Sequence, residues 1–313
     1  MPAIVNSDNF VRAENDRMFH DLQRDAGGVN RFLHNRQPAA IDNQTVIRLN
    51  RDTLYSFAVV DISQGALFAI PEHGERYLSA MVVNQDHYIN RIYHEVGTHE
   101  LTQQQFGSPY VVLAVRTLVD PNDPADLAAV AEIQDQLELR SNSAISFEMP
   151  DYDEKSFTDT RNALLVLASN LTGFERTFGT REETDPIRHL IGTAAGWGGL
   201  PSREASYIGV NPKLPAGTYQ LTVPDVPVDG FWSISVYNAA GYFEPNQSGV
   251  YTINNITGAR NADGSVTVRF GDWPIGTPNV IPTPEGWNYL VRLYRPRAEV
   301  LDGSWVFPSI QES

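Results

Sequence analysis

Apolar residues change their spacing three times along this chain. Between residues 7 and 25, Phe10, Val11, Met18, Phe19 and Leu22 recur at helical intervals, Ser7 or Asp8 stands where a cap belongs, and Gly27-Gly28 closes the run. From about 44 to 119 the spacing shortens to that of strands: TVIRLN, TLYSFAVVDI, ALFAIP, RYLSAMVV, HYINRIYH and YVVLAVRTLV, punctuated by Gly and Pro. Helical spacing returns over 123–139, where Leu127, Val130, Ile133 and Leu137 line one side, and over 155–171, with Phe157, Leu164, Leu165, Val166 and Leu167. A shorter helix over 183–192 has Pro186 in its first turn and runs into a glycine-rich stretch expected to be flexible. From about 205 to 310 strands dominate again. Runs of this length between turn signals predict antiparallel sheets: a mainly β chain with a helical insert, built as two tandem jelly-roll-like β modules, a double jelly roll. The expected divisions are a helical segment 1–35, a first β module 36–122, a helical insert 123–204 and a second β module 205–313.

The two strand-rich parts read as copies. RYLSAMVVNQDHYIN (76–90) lies on GFWSISVYNAAGYFE (230–244) at an offset of 154, so that Ser79 meets Ser233, Val82 meets Val236, Asn84 meets Asn238 and Tyr88 meets Tyr242. YVVLAVR (110–116) lies on YLVRLYR (289–295) at an offset of 179, pairing Tyr110 with Tyr289 and Arg116 with Arg295. The longer second offset leaves room for hairpin extensions around Ile256–Pro284.

Three stretches carry a family likeness: NRDTLYSFAVVDIS (50–63), DGFWSISVYNAAGYFEPN (229–246) and NVIPTPEGWNYLVRLYRPRAEVLDGSWVFPSI (279–310). They resemble the tandem pair of domains of unknown function numbered 1254 (N-terminal) and 1214 (C-terminal), over roughly residues 35–310. FWS, RLYRP and LDGSW are the specific part. The resemblance implies a double jelly-roll-like architecture and supplies no mechanism. Some relatives carry a carboxylesterase label, and many are longer and exported.

Composition narrows the function classes. With 23 basic against 38 acidic side chains the net charge is −15, which argues against a partner with a phosphate backbone. The absence of cysteine excludes disulfides, thiolate metal sites and a cysteine nucleophile. Apolar runs are far shorter than the roughly 20 residues that cross a bilayer, and the N-terminus has no basic start or apolar core, so a cytoplasmic protein is expected. Homo-oligomer formation stays open.

Hydrolase and nucleotide signatures are missing: there is no G-x-S-x-G, no P-loop and no H-E-x-x-H. His87, His94 and His99 fall close to Asp86, Glu95 and Glu100, the residue types from which a jelly roll builds a metal site with an open position for water. The expectation is one divalent metal ion on His87 and His94, against the plainer reading of exposed hairpin residues. The repeat singles out this segment. Where the first copy has Asp86, His87, Asn90 and Arg91, the second has Ala240, Gly241, Glu244 and Pro245.

Asn50-Arg51-Asp52-Thr53-Leu54-Tyr55 is the second candidate, with Asp52 as general base or ligand and Tyr55 as proton donor; its competing reading is a turn capped by Asn and Asp. The catalytic set is then His87, Asp86, Asp52 and Tyr55, and the substrate-binding set Asn50, Arg51, Tyr88, Asn90, His34 and Arg36. His189 reads as packing or part of a lid. The leading function is a hydrolase or lyase, metal-assisted, acting on a small polar or sugar-like substrate. The alternatives are a non-catalytic carbohydrate or small-ligand binding module and a structural or assembly protein.

Overall fold

The computed structural model describes residues 1–44, 47–171, 173–215 and 217–312. In chain order come α1 (Phe10–Asp25), β1 (Leu33–His34), β2 (Thr53–Asp61), β3 (Ala66–Ile70), β4 (Leu78–Asn84), β5 (Ile89–Tyr93), β6 (Gly97–Leu101), α2 (Gln103–Phe106) and β7 (Tyr110–Leu118). Then follow α3 (Pro124–Asp135), β8 (Glu138–Ser141), α4 (Glu154–Ala168) and α5 (Pro186–Gly196). The remainder is β9 (Ala205–Val210), β10 (Tyr219–Val223), β11 (Trp232–Tyr237), β12 (Thr252–Asn254), β13 (Val266–Phe270), β14 (Val280–Ile281), β15 (Asn288–Tyr294), α6 (Ala298–Leu301) and β16 (Gln311–Glu312). The chain is mainly β, with several antiparallel sheets and, among the described residues, no closed barrel. No helix of the described residues is long and apolar enough to cross a membrane.

Two compact units share these elements. The first comprises Met1–Arg36, Leu54–Leu118 and Ala129–Ser202; the second comprises Gln37–Thr53, Val119–Ala128 and Arg203–Ser313. The helices expected as an insert therefore join the first unit from residue 129 onward, and residues 37–53 belong to the second.

In the first unit, a sheet of order β1-β2-β7-β4-β5 and a sheet of order β6-β3-β8 share one core. Alternate residues make it: Ala58 and Val60 from β2 with Ile62 just past its end, Leu78, Ala80 and Val82 from β4, Val111, Leu113 and Val115 from β7, and Ala66, Phe68 and Ile70 from β3. α3 ends at Asp135, short of the expected 139, because the next residues form β8 on the edge of β3. Beside the sheets, α1, α4 and α5 bury Phe10, Ala13, Leu164, Ile191 and Ala194 together. α5 is capped by the Asp185 side chain and runs to Gly196, through residues the sequence marks as flexible. The reason is close packing: a Cβ on Gly192 would lie 2.0 Å from Thr177 Cγ2.

The second unit repeats that plan. Its sheet of order β12-β11-β15-β9 shares a core with a sheet of order β14-β13-β10-β16, in which Trp232, Ile234, Val236, Tyr289, Val291 and Leu293 meet Leu221, Val223, Val268 and Phe270. The order β2-β7-β4-β5 with β3-β6 thus recurs as β9-β15-β11-β12 with β10-β13. The ladders correct the repeat in one place. Ser79 faces Arg116 and Ser233 faces Arg292, so Arg116 corresponds to Arg292 at an offset of 176, not to Arg295 at 179. The difference of three is odd, and an odd shift would turn every side chain of the strand to the wrong face.

Candidate functional site

Strand alternation gives the second unit's large sheet two different faces. Trp232, Ile234 and Val236 of β11 enter the core, which turns Ser233, Ser235 and Tyr237 the other way. β15 adds Arg292 and Tyr294 to that face, and β12 adds Thr252 and Asn254, with Ser233 flanked by Arg292 on one side and Asn254 on the other. A polar sheet face is ordinarily the solvated one. Here Asp52, Ser233, Ser235, Tyr237 and Asn254 have no exposed surface at all and Arg292 retains 2%.

The segment 48–53 supplies the remaining groups. Asn50 shapes it, its Oδ1 accepting from the Asp52 N–H at 2.9 Å while its Nδ2 donates to Tyr294 Oη at 3.0 Å. Asp52 Oδ1 accepts from Thr252 Oγ1 at 3.0 Å and from Asn254 Nδ2 at 3.2 Å. Arg292 Nη1 donates to Ser235 Oγ at 2.8 Å; its Nη2 donates to Tyr237 Oη at 2.7 Å and to the carbonyls of Arg48 and Leu49 at 2.8 and 3.1 Å. Tyr237 Oη donates in turn to the Leu49 carbonyl at 2.8 Å. Serine, tyrosine, guanidinium and carboxylate are therefore linked in one buried network.

The network is incomplete. Among the described residues, Asp52 Oδ2, Ser233 Oγ, Asn288 Oδ1 and Arg48 Nη1 are buried with no hydrogen-bond partner. Burial works against the Arg292 charge, but the Tyr237 and Tyr294 phenols and the Asp52 carboxylate raise its pKa overall, so it stays a cation. Burial pushes the Tyr237 phenol up, which keeps its proton in place. The Arg48 guanidinium, over the Tyr237 ring at 5.9 Å, is pulled down by burial, with the Arg292 charge acting in the same direction.

The first unit holds the histidine candidates, and there the polar groups are matched. Asn84 Oδ1 accepts from the N–H groups of Asp86 and Tyr88, as Asn238 Oδ1 accepts from those of Ala240 and Tyr242. His87 takes the left-handed position of this turn, at φ 62°, where the second copy has Gly241 at φ 88°. Its ring is fully buried. Nε2 accepts from the Gly198 N–H at 3.1 Å, which leaves the proton on Nδ1 to donate to Thr193 Oγ1 at 2.9 Å, and that hydroxyl donates on to the His189 carbonyl. Burial holds the His87 pKa well below the ordinary histidine value, with the neighbouring His189 adding to the shift. The ring stacks on Trp197 at 5.6 Å and on His189 at 5.2 Å, and Tyr88 stacks on His189 at 4.8 Å.

The expected metal pair does not meet. His94 Nδ1 bonds the Leu78 carbonyl at the start of β4, whereas His87 follows the end of that strand. Among the described residues no three His, Cys, Asp or Glu side chains are grouped as metal ligands. With both His87 nitrogens engaged, these residues do not fit a metal ion. Asp86 points outward into an ion pair with Arg12, and Asn90 reaches the Gln105 carbonyl at 3.4 Å. Tyr55 lies under the Arg116 guanidinium at 5.4 Å, and His34 bonds Ser56 Oγ at 2.8 Å. Arg36 is tied to the Ala131 carbonyl, Gln134 and Asp135. Of the sequence candidates, the second unit takes Asn50, Arg51 and Asp52, and the first takes the others. Arg51 donates to the Ala39 carbonyl and covers the Tyr251 ring at 5.6 Å.

Ser233, Tyr237, Arg292 and Arg48 are the groups missed from sequence. Three of them sit inside stretches that carry the family likeness, and Ser233 was matched to Ser79. What hid them is that a strand pattern shows which face is polar but not that the polar face is covered.

Two family models match the chain: one described as a protein of unknown function (DUF1254) over residues 29–103, and one described as a protein of unknown function (DUF1214) over 211–298. Among solved structures, the crystal structure of the VPA0106 protein from Vibrio parahaemolyticus has the same fold, with a TM-score of 0.74 at 17% identity over 98% of each chain. A putative uncharacterized protein from Burkholderia cenocepacia resembles it with a TM-score of 0.53 at 13% identity, over 96% of this chain and 87% of that one. No curated protein matches the sequence.

Proposed function

For a chain that carries domain 1254 followed by domain 1214, we propose a role as receptor for a small hydroxyl-bearing molecule, bound on the covered polar face of the second unit. The observation that carries this reading is the fully buried Asp52, whose Oδ2 has no partner while its Oδ1 has two. A buried acceptor left unsatisfied costs about 1–3 kcal/mol, more when charged, and native proteins keep few of them. Asp52 Oδ2 asks for a donor, Arg48 Nη1 asks for an acceptor, and Ser233 Oγ takes either. Hydroxyl groups both donate and accept, so sugars and polyols match the unfilled groups better than a purely donating or accepting ligand. Of the six strands that recur in each unit, the first pairs with the last (β2 with β7, β9 with β15) and the second with the fifth (β3 with β6, β10 with β13), which supports reading the units as shortened jelly rolls, a fold that often holds polar ligands.

A hydrolase or lyase reading keeps Asp52 as its base. All seven histidines of the sequence fall outside the second unit, so the proton donor there would be the Tyr237 phenol rather than an imidazole. Binding is the reading that needs no further group.

Titration calorimetry of the full chain against a panel of neutral sugars, polyols and sugar acids tests it. The wild type is expected to bind at least one member saturably, with slow association because the face is covered, and Asp52→Asn is expected to weaken that binding at least tenfold. A panel without any saturable binder overturns the reading.

A further inference from the structure

The charges of the same site do not balance. Arg51 and Arg292 share a single carboxylate, Asp52, Arg48 adds a third charge beside Arg292 and Tyr237, and neither Arg48 nor Arg51 makes an ion pair with any described residue. In a chain with 38 acidic side chains for 23 basic ones, a guanidinium without a carboxylate is not for want of partners. The three cations differ in what they have left to give. The terminal nitrogens of Arg292 are occupied by Ser235, Tyr237 and two carbonyls. Arg51 is spent on the Ala39 carbonyl and the Tyr251 ring. Arg48 alone keeps a buried nitrogen with no acceptor.

Its backbone is unusual as well. Arg48 has φ 54°, in the left-handed region that side chains other than glycine and asparagine seldom adopt. Its N–H bonds the Gly241 carbonyl at 2.8 Å and its carbonyl accepts from Arg292, so both neighbours hold it in that conformation. Strain of this kind, maintained from both sides, concentrates where a side chain has to be aimed.

We infer that the ligand of this site is a polyhydroxylated monocarboxylate, a sugar acid, with its carboxylate on Arg48 and a hydroxyl on Asp52 Oδ2. The inference rests on the receptor reading above. A guanidinium and a carboxylate are planar and match two N–H donors to two oxygens. A phosphate would bring more oxygens than the one unfilled nitrogen group can serve, and would set a second negative charge near Asp52. A neutral sugar would offer Arg48 a hydroxyl oxygen as acceptor but leave its charge unmatched.

Calorimetry with D-glucuronate, D-galacturonate and D-gluconate, each against its neutral counterpart and against glucose 6-phosphate, decides the matter. One acid is expected to bind at least tenfold more tightly than its neutral form. Arg48→Gln is expected to erase the preference for the acid, the acid losing at least fivefold more affinity than the neutral sugar; Arg48→Lys, which keeps the charge without the fork, is expected to fall between. Asp52→Asn is expected to weaken acid and neutral alike. Equal binding of acid and neutral sugar, an Arg48→Gln protein that still prefers the acid, or tighter binding of the phosphate overturns the assignment while leaving the receptor reading in place. Failure of every compound overturns both. Should Arg48→Gln not fold, the acid-to-neutral ratio of the wild type and of Arg48→Lys carries the test.

Discussion

Arg292 stands directly across the ladder from Ser233, as Arg116 stands across from Ser79 in the other unit. The pair is a shared feature of the two copies, and what surrounds it differs. Two residues along β11 from Ser233 is Ser235, which takes a hydrogen bond from Arg292; two residues along β4 from Ser79 is Met81, whose sulfur lies 3.9 Å from Arg116. The second copy has elaborated its pair into a polar network, and the first has not.

That network makes Arg292 a stability residue as well as part of the site. Arg292→Ala would take a donor from Ser235, the Tyr237 hydroxyl and the carbonyls of Arg48 and Leu49 in a space closed to water, and would remove the cation beside the Asp52 carboxylate. Breaking a buried charge network in this way typically costs about 3–5 kcal/mol. Arg292→Lys is expected to recover only part of that loss, because one ammonium cannot reproduce the fork. Urea unfolding of the full chain gives both values; a loss below about 1 kcal/mol for the alanine variant would show that Arg292 is not held as described.

His87 sits where the other copy has glycine, which separates the cost of its backbone from the worth of its ring. Both His87→Ala and His87→Gly lose the bonds to Thr193 and Gly198 and the stacking on Trp197. Only the alanine variant keeps a Cβ in the left-handed region, which costs about 1 kcal/mol relative to glycine. The glycine variant is expected to be the more stable of the two, and both to be weaker than wild type by about 2–4 kcal/mol, the range for emptying a packed polar site. Equal midpoints for alanine and glycine would contradict the turn geometry.

Most of the fold is legible in the spacing of apolar residues, and the site much less so. The Asn84 and Asn238 turns, matched from sequence alone, have the same hydrogen bonds. The second anchor slipped by three because YVVLAVR and YLVRLYR both run from Tyr to Arg, and only the cross-strand register shows which arginine is equivalent. The histidine cluster misled for a different reason. Neighbours in sequence on a hairpin are carried to opposite ends of it, as His87 and His94 are. Asp52 was legible as a strand-entrance carboxylate, but its partners Thr252 and Asn254 are some two hundred residues away in sequence, and no local pattern announces a contact of that range.

Acid sensitivity follows from the same histidines. Burial lowers the pKa of both His87 and His189 in the folded protein. A histidine with a depressed folded value contributes its full stability above the unfolded value of about 6.5, and that stability is lost as pH falls below it, because the unfolded chain binds the proton first. Asp86, whose backbone carbonyl meets His189 Nε2 at 3.2 Å, holds its own side chain in the ion pair with Arg12. Each histidine accounts for up to about 1.4 kcal/mol per pH unit, so the urea midpoint is expected to fall between pH 6.5 and pH 5. His189→Asn should flatten that slope; an unchanged slope would mean that other groups set it.

Gly192 offers a test in which helix propensity and packing point in opposite directions. Within α5, alanine in place of glycine would ordinarily stabilise the helix by about 1 kcal/mol. Here the added methyl would meet Thr177 Cγ2 at 2.0 Å, far inside contact distance, while the Phe178 ring closes the other side at 3.4 Å. Overpacking of this degree costs about 1–3 kcal/mol, so packing should win and Gly192→Ala should lower the unfolding midpoint. Thr177→Ser removes the offending methyl and little else, since Thr177 Oγ1 has no hydrogen-bond partner among the described residues. The double variant Gly192→Ala with Thr177→Ser is therefore expected to recover most of the loss and to let the propensity gain appear. If the double variant is no better than Gly192→Ala alone, the contact between these two residues is not what requires the glycine.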